Sequence, residues 1–393
     1  MTFFKVHHIS SQSRARTGLI TTDHGVIQTP AFVPVGTKGT IKGITNEQIE
    51  SLHIQTVFVN TYHLVVHPGI DVMQKANGIH AFSKFTIPLM SDSGGFQVFS
   101  LANQQQRRAS IRGEEQPLVE KISEDGVLFR SVYDGQLIHF TPEMSMDFQR
   151  TIGADINMAF DECTYYPATH KYAEKAMKRT HEWLKRCVKH KAGVQNFEPL
   201  HNQFLYGIIQ GGTFEDLRKE SAEFVLSQNT PGIAIGGVSV GETKEEMRSQ
   251  VEWVAPYLPK DRPVHLLGVG QIDDIVDLVK QGIDTFDCVE PTRVARIGRV
   301  YETKKIMDYV ETGHAPSLQS SKFDFDINKA IYKADLSLLD ENCSCSTCVN
   351  YSKAYIHHLF KQRELLGYTL LSYHNLFVME KLMEKIRELI EMS

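Results

Sequence analysis

The sequence predicts an α/β protein of the (β/α)8 TIM-barrel class, with a small subdomain inserted near the C-terminus. Three observations carry this. Eight short apolar runs recur along the chain with helical stretches between them. The C-terminal ends of those runs hold most of the unusual Asp, Gln and Gly residues. One late segment breaks the alternation and packs Cys343, Cys345 and Cys348 into a hexapeptide.

In order, the runs are 29–35, 56–60, 88–91, 154–160, 204–209, 232–237, 264–268 and 285–289. Most are too short for helices, apolar on both faces and closed by Gly, Asp or Asn, which is how buried parallel strands read. Helical periodicity marks 46–52, 172–194, 214–226, 243–257 and 273–281. Strands alternating with helices favour a barrel. The alternative is an open doubly wound sheet, but no G-x-G-x-x-G follows the first run. The polar stretch 103–117 (NQQQRRASIRGEEQP) reads as a surface insertion. The segment 299–362 interrupts the step from the eighth strand to the last helix, expected at 375–392. The domain reading is one catalytic barrel over 1–393, with a metal-binding subdomain over 299–374.

Composition narrows the function classes. With 41% hydrophobic residues, 21 Phe and 14 Tyr, the chain has ample core and is not disordered. No apolar run approaches the roughly 20 residues of a membrane helix. The start, Met-Thr-Phe-Phe-Lys-Val-His-His, lacks the basic and apolar blocks of a secretory leader. A net charge of -5 excludes a uniformly basic coat but not a local basic site. Cys163, Cys187 and Cys288 are scattered, so a disulfide framework is not expected. The crowded thiols point to a metal in a reducing cytosol.

In a barrel the chemistry sits at the C-terminal ends of strands. There the sequence places Asp92, Asp161 and Asp287, three carboxylates on one mouth. Single strand-end Asp residues often cap helices. Three beside several glycines suit glycosidic-bond cleavage, with one as nucleophile and one as acid or base. Gly236 and Gly237 let backbone groups approach a flat ligand closely, and Gln210 offers both donor and acceptor to a base edge. Cys343-x-Cys345-x2-Cys348 supplies three thiolates to one tetrahedral ion. His357, His358 and His374 are all candidates for the fourth ligand. A closed Cys3His zinc site would be structural. Arg293, Arg296, Arg299, Lys304 and Lys305 cluster after the eighth strand, which suits an anionic substrate larger than a metabolite. The cations of 172–194 spread around their helix and read as a solvated face.

Several long motifs stand in one order: Ser91-Asp92-Ser93-Gly94-Gly95-Phe96-Gln97, Phe160-Asp161-Glu162-Cys163, Gly236-Gly237-Val238-Ser239-Val240-Gly241-Glu242, Phe286-Asp287-Cys288-Val289-x-Pro291-Thr292-Arg293-x-Ala295-Arg296 and C-x-C-x2-C…H. Over essentially the whole chain the sequence resembles tRNA-guanine transglycosylase of the bacterial type, the queuine tRNA-ribosyltransferase family. The resemblance implies exchange of guanine at the wobble position of GUN-anticodon tRNAs (Asp, Asn, His, Tyr) for the queuosine precursor preQ1. It implies Asp287 as nucleophile, forming a covalent link to ribose, and Asp92 as general acid/base. Asp92, Asp161, Gln210 and the backbone of Gly237 and Val238 would recognise the base, and Phe96 and Leu267 would sandwich it. Arg293 and Arg296 would hold RNA. His374 is implied as the fourth ligand of one structural zinc per chain, and no cofactor is implied in the chemistry. A cytoplasmic homodimer is implied, with Lys42, Asn60, Tyr351, Tyr355 and His358 at interface positions. Glu290, Val294 and Ile297 depart from the usual pattern around the arginines. In relatives that accept queuine the position matching Val240 tends to be Gly, so Val240 implies preQ1. The alternatives are a queuine-inserting salvage enzyme, a non-catalytic zinc-stabilised tRNA-binding partner, a barrel glycoside hydrolase, and the archaeal-type enzyme with an extra C-terminal domain.

Overall fold

Sixteen strands are described in a computed structural model that covers residues 2–95, 118–131, 135–193, 201–313 and 323–393. They are β1 (Phe4–Ile9), β2 (Arg16–Thr22), β3 (Gly25–Thr29), β4 (Ala31–Pro34), β5 (Val57–Val59), β6 (Leu89–Ser91), β7 (Leu118–Ile122), β8 (Val127–Arg130), β9 (Leu137–Phe140), β10 (Ile156–Met158), β11 (Phe204–Ile209), β12 (Gly232–Ile235), β13 (Val264–Leu266), β14 (Thr285–Cys288), β15 (Arg299–Tyr301) and β16 (Asp324–Asp326). All eight expected strands are present and form one parallel sheet in the order β4-β14-β13-β12-β11-β10-β6-β5. A parallel bridge joins Val35 to Phe58, and the Gly36 N–H donates to Phe58 O at 2.8 Å. These contacts link the two end strands and close the sheet into the barrel.

Closure buries both faces of every strand, so the alternation of one-sided sheets is absent from them. Inside, Ala31, Val33, Phe58, Met90, Met158, Tyr206, Ile208 and Ala234 pack together. The antiparallel sheet β1-β2-β3 plugs the base by adding Phe4, Ile20 and Ile27 to that cluster. Arg16 locks the plug in place, with its Nε and Nη2 on the buried Asp284 carboxylate at 2.9 and 2.6 Å. Outside run the helices, among them His170–Gly193, Glu215–Ser227, Lys244–Val254 and Ile272–Val279. Lys244–Val254 begins with a capping box, in which Thr243 and Glu246 satisfy each other's backbone N–H groups.

The structure departs from the alternation in three places. β1–β3, β7–β9 and β15–β16 are additional antiparallel strands. Their half-exposed residues, such as Lys5, His7 and Ile9 in β1, do not form the continuous apolar runs that marked the barrel. The last helix spans Leu365–Glu391, beginning ten residues before the expected 375. Ser372, His374 and Asn375, at the expected start, are all wholly buried inside the helix. Asn375 donates to Pro291 O and Arg299 O and accepts from the Tyr301 N–H. The 103–117 stretch and Phe96 lie outside the described residues. No helix of the described residues is long and apolar enough to cross a membrane.

Candidate active site

Strand ends position the polar residues. Asp92 follows β6, Asp161 follows β10, Gln210 follows β11, Gly236 and Gly237 follow β12, Leu267 follows β13, and Asp287 lies in β14. All of them, with Val238, line one cavity of about 840 Å³. Arg293, Glu290 and Val294 stand on its wall, as do Lys42 and Asn60. Arg296 is not on that wall; its Nη1 turns back to Thr292 O at 3.0 Å.

Each carboxylate is held differently. Asp92 Oδ1 accepts from the N–H groups of Thr61 (2.7 Å) and Gly94 (3.2 Å), and Oδ2 accepts from the Asn60 side-chain amide. Removal from water raises the Asp92 carboxyl to about 7, against the pull of those amides. Asp161 accepts from Ser93 Oγ at 3.1 Å and from Gln210 Nε2 at 2.7 Å. Burial raises it to about 6 despite those bonds. Asp287 Oδ1 lies 3.1 Å from His265 Nε2 and 3.0 Å from the Gly268 N–H. Thr285 Oγ1 stands 2.8 Å from the other imidazole nitrogen. Two groups therefore meet Oδ1, which leaves Oδ2 the freer oxygen. The paired carboxylates thus differ: burial raises the Asp92 carboxyl, and Asp287 is held through one oxygen by His265 and Gly268.

Gln210 Oε1 is buried without a hydrogen-bond partner among the described residues, so a ligand donor would satisfy it. Gly237 has φ +63, and a Cβ there would stand 2.2 Å from Gln210 Oε1, so only glycine fits beside that amide. Arg218 is fully buried in the helix Glu215–Ser227. It donates to the carbonyls of Gly212, Gly236 and Gly237 at 2.7–2.8 Å, tying the two glycine turns together. Reading the sequence from strand ends missed Arg218, which is mid-helix, and His265, which is mid-strand. For His265 the one available signal was an imidazole inside an otherwise apolar run, whereas Arg218 stands among charged residues and had none. Asn60 was expected at a subunit interface and is instead buried against Asp92. Tyr351 and Tyr355 stack with centroids 5.4 Å apart, and His358 is exposed.

Beside the mouth, Cys343, Cys345, Cys348 and His374 are all buried, and their ligand atoms lie within 4.8 Å of one another. The three Sγ atoms stand 3.5, 3.6 and 3.2 Å from His374 Nδ1. His374 Nε2 meets Tyr301 O at 2.8 Å, the outer contact that orients a ligating imidazole. The residues fit a closed tetrahedral metal site. His357 is not part of it, because its Nδ1 faces Ile327 O.

The parallel barrel, its paired carboxylates and this closed cluster define a barrel enzyme whose candidate metal site lies outside the cavity that the carboxylates line. The profile of the queuine tRNA-ribosyltransferase family matches residues 11–393. The queuine tRNA-ribosyltransferase of Caldanaerobacter subterraneus subsp. tengcongensis is 42% identical over 387 residues, covering 98% of this chain and 93% of its own. That of Natranaerobius thermophilus is 42% identical over 388 residues (98% and 94%). That of Lysinibacillus sphaericus is 41% identical over 387 (98% and 91%). The chain belongs to the queuine tRNA-ribosyltransferase family.

Replacing Cys348 with Ser should remove the cluster's metal. In Co2+-substituted protein the thiolate-to-cobalt charge-transfer band should fall to a small fraction of its native intensity. Absorption spectra of the two proteins check this, and an unchanged band would place the metal elsewhere.

Proposed function

We propose that the chain is a tRNA-guanine transglycosylase that replaces guanine at the wobble position of GUN-anticodon tRNAs with preQ1. One observation carries the reading: Asp92 and Asp287 face a single cavity together with the base-edge groups of Asp161, Gln210, Gly237 and Val238. The names of its relatives supply the substrate class.

In this reading Asp287 attacks C1′ of the ribose through Oδ2 while Oδ1 stays held by His265 and Gly268. The C1′–N9 bond breaks as the C1′–O bond forms, and its electron pair leaves with guanine. Asp92 supplies the proton that neutralises the departing purine. After preQ1 replaces guanine, Asp92 takes the N9 proton back. N9 then attacks C1′ and releases the Asp287 carboxylate. Asp161 and Gln210 read the polar edge of the base, Leu267 and Phe96 cover its faces, and Arg293 and Arg296 hold neighbouring RNA. The Cys3His site takes a structural zinc ion, since three thiolates and one imidazole suit Zn2+ and leave no open position. The active form is a cytoplasmic homodimer.

Three measurements test this. Asp287→Asn should abolish incorporation of labelled guanine into tRNA, together with the denaturant-resistant enzyme–tRNA adduct. An adduct surviving in that variant would refute Asp287 as nucleophile. Base incorporation into the preformed adduct should rise with pH through about 7, because Asp92 must be ionised to accept the proton and burial has moved it up from the ordinary carboxylate range. A limb near pH 4 would assign the proton to another group. The third concerns the entering base. Val240 lines a small recess with Tyr166 and Gly237, where the diol of queuine would need room. Overpacking costs about 1–3 kcal/mol, so preQ1 should outcompete queuine by at least roughly tenfold. Val240→Gly should narrow the gap. Equal use of both bases by the native protein would favour the salvage reading.

A further inference from the structure

A second set of metal-ligating side chains lies at the base of the barrel, opposite the mouth. His24 sits in the β2–β3 turn, His80 in the helix Gly78–Ser83, Asp155 just before β10, and His201 shortly before β11. Four separate elements thus bring their ligand atoms within 4.8 Å of one another. Asp155 is wholly buried. Its Oδ1 lies 2.8 Å from His24 Nδ1 and 3.7 Å from His201 Nε2, and Oδ2 accepts from the Leu89 N–H at 2.9 Å.

Ring geometry sorts the three imidazoles. His24 and His201 meet edge to face at 89°, so their in-plane lone pairs can converge on one point. His80 lies parallel to His24, at 9° and 3.5 Å between centroids, so its lone pair is directed elsewhere. Its Nε2 stands 3.1 Å from Ile87 O and 3.5 Å from Asp155 Oδ2, which suits a group that orients the carboxylate from outside. His201 Nε2 is buried and has no hydrogen-bond partner among the described residues, an unusual state for a buried nitrogen. Ligands bound at about 2.0–2.1 Å around a tetrahedral ion stand about 3.3 Å apart. The two contacts to Asp155 Oδ1, 2.8 and 3.7 Å, fall on either side of that spacing.

We propose that His24 Nδ1, His201 Nε2 and Asp155 Oδ1 form a second metal site, selective for a borderline divalent transition ion such as Zn2+, Co2+ or Ni2+ and completed by water. Two imidazoles and a carboxylate are the donor set such ions prefer, and the set contains no thiolate. The ion fastens the turn of the base sheet to the starts of β10 and β11, two strands whose far ends carry Asp161 and Gln210.

Purified protein is equilibrated with Co2+ or Zn2+, desalted and analysed for metal. The native chain should retain two equivalents. His201→Ala should retain one and keep the full thiolate-to-cobalt band, which also shows that the variant is folded. Cys348→Ser should retain one and lack the band. His80→Ala should retain both, with the nitrogen-bound ion weakened roughly 10–100-fold, as when an outer partner of a ligand is removed. A native stoichiometry of one would overturn the proposal, as would a second equivalent that survives in both His201→Ala and His24→Ala.

Discussion

Eight parallel strands close into a barrel only when they tilt together, and closure brings all their C-terminal ends to one rim. That constraint gathers residues as distant in sequence as Asp92 and Asp287 around one cavity. It also crowds backbone carbonyls where the rim turns away from the strands. At Gly212, Gly236 and Gly237 those carbonyls face the protein and need donors. Arg218 supplies them from a fully buried guanidinium. Taking that cation out of water costs several kcal/mol, offset only while every N–H finds an acceptor. The glycine turns are therefore held from behind, leaving their front free to meet a flat ligand.

The mouth carries a stability penalty that follows from its chemistry. Asp92 and Asp161 are both shifted upward, to about 7 and about 6, with burial as the first cause. The folded state binds their protons more tightly than the unfolded chain does. Their stabilising contribution is complete below the ordinary carboxylate range and lost as pH rises through those two values. Near neutrality the folded protein thus sustains partly ionised carboxylates in a poorly solvated cavity.

Legibility in the sequence followed the physics of burial. The barrel strands could be read because burial on both faces leaves continuous apolar runs, as in 204–209 and 232–237. β1, β3 and β7–β9 could not, because exposed residues interrupt them. Asp92, Asp161, Gln210 and Asp287 were readable as polar residues ending apolar runs. His265 and Arg218 act on the same site from within a strand and a helix, where nothing local separates a functional polar residue from a satisfied one. Spacing left His357, His358 and His374 equivalent, and family resemblance chose among them. The geometry agrees, because only His374 shares the thiol cluster. The start of the last helix was misplaced because His374 and Asn375 are buried polar residues met by neighbouring carbonyls and an amide, a tertiary fact with no local signature.

That helix has a mechanical consequence. Its 27 residues form a rod of about 40 Å at 1.5 Å rise per residue. His374 sits in its first half, and near its far end Arg387 grips Pro30 O at the entrance to β4. Just beyond, Ser393 meets Ser10 and His8 of the base sheet. The metal cluster and the seam of the barrel are thus fastened to opposite parts of one rigid element. A metal bound at the cluster would anchor the rod's first half, so its release would let the regions joined by the rod open as one cooperative unit rather than separately. Slow amide exchange at the base of the barrel would then report on a metal held at the other end of the rod.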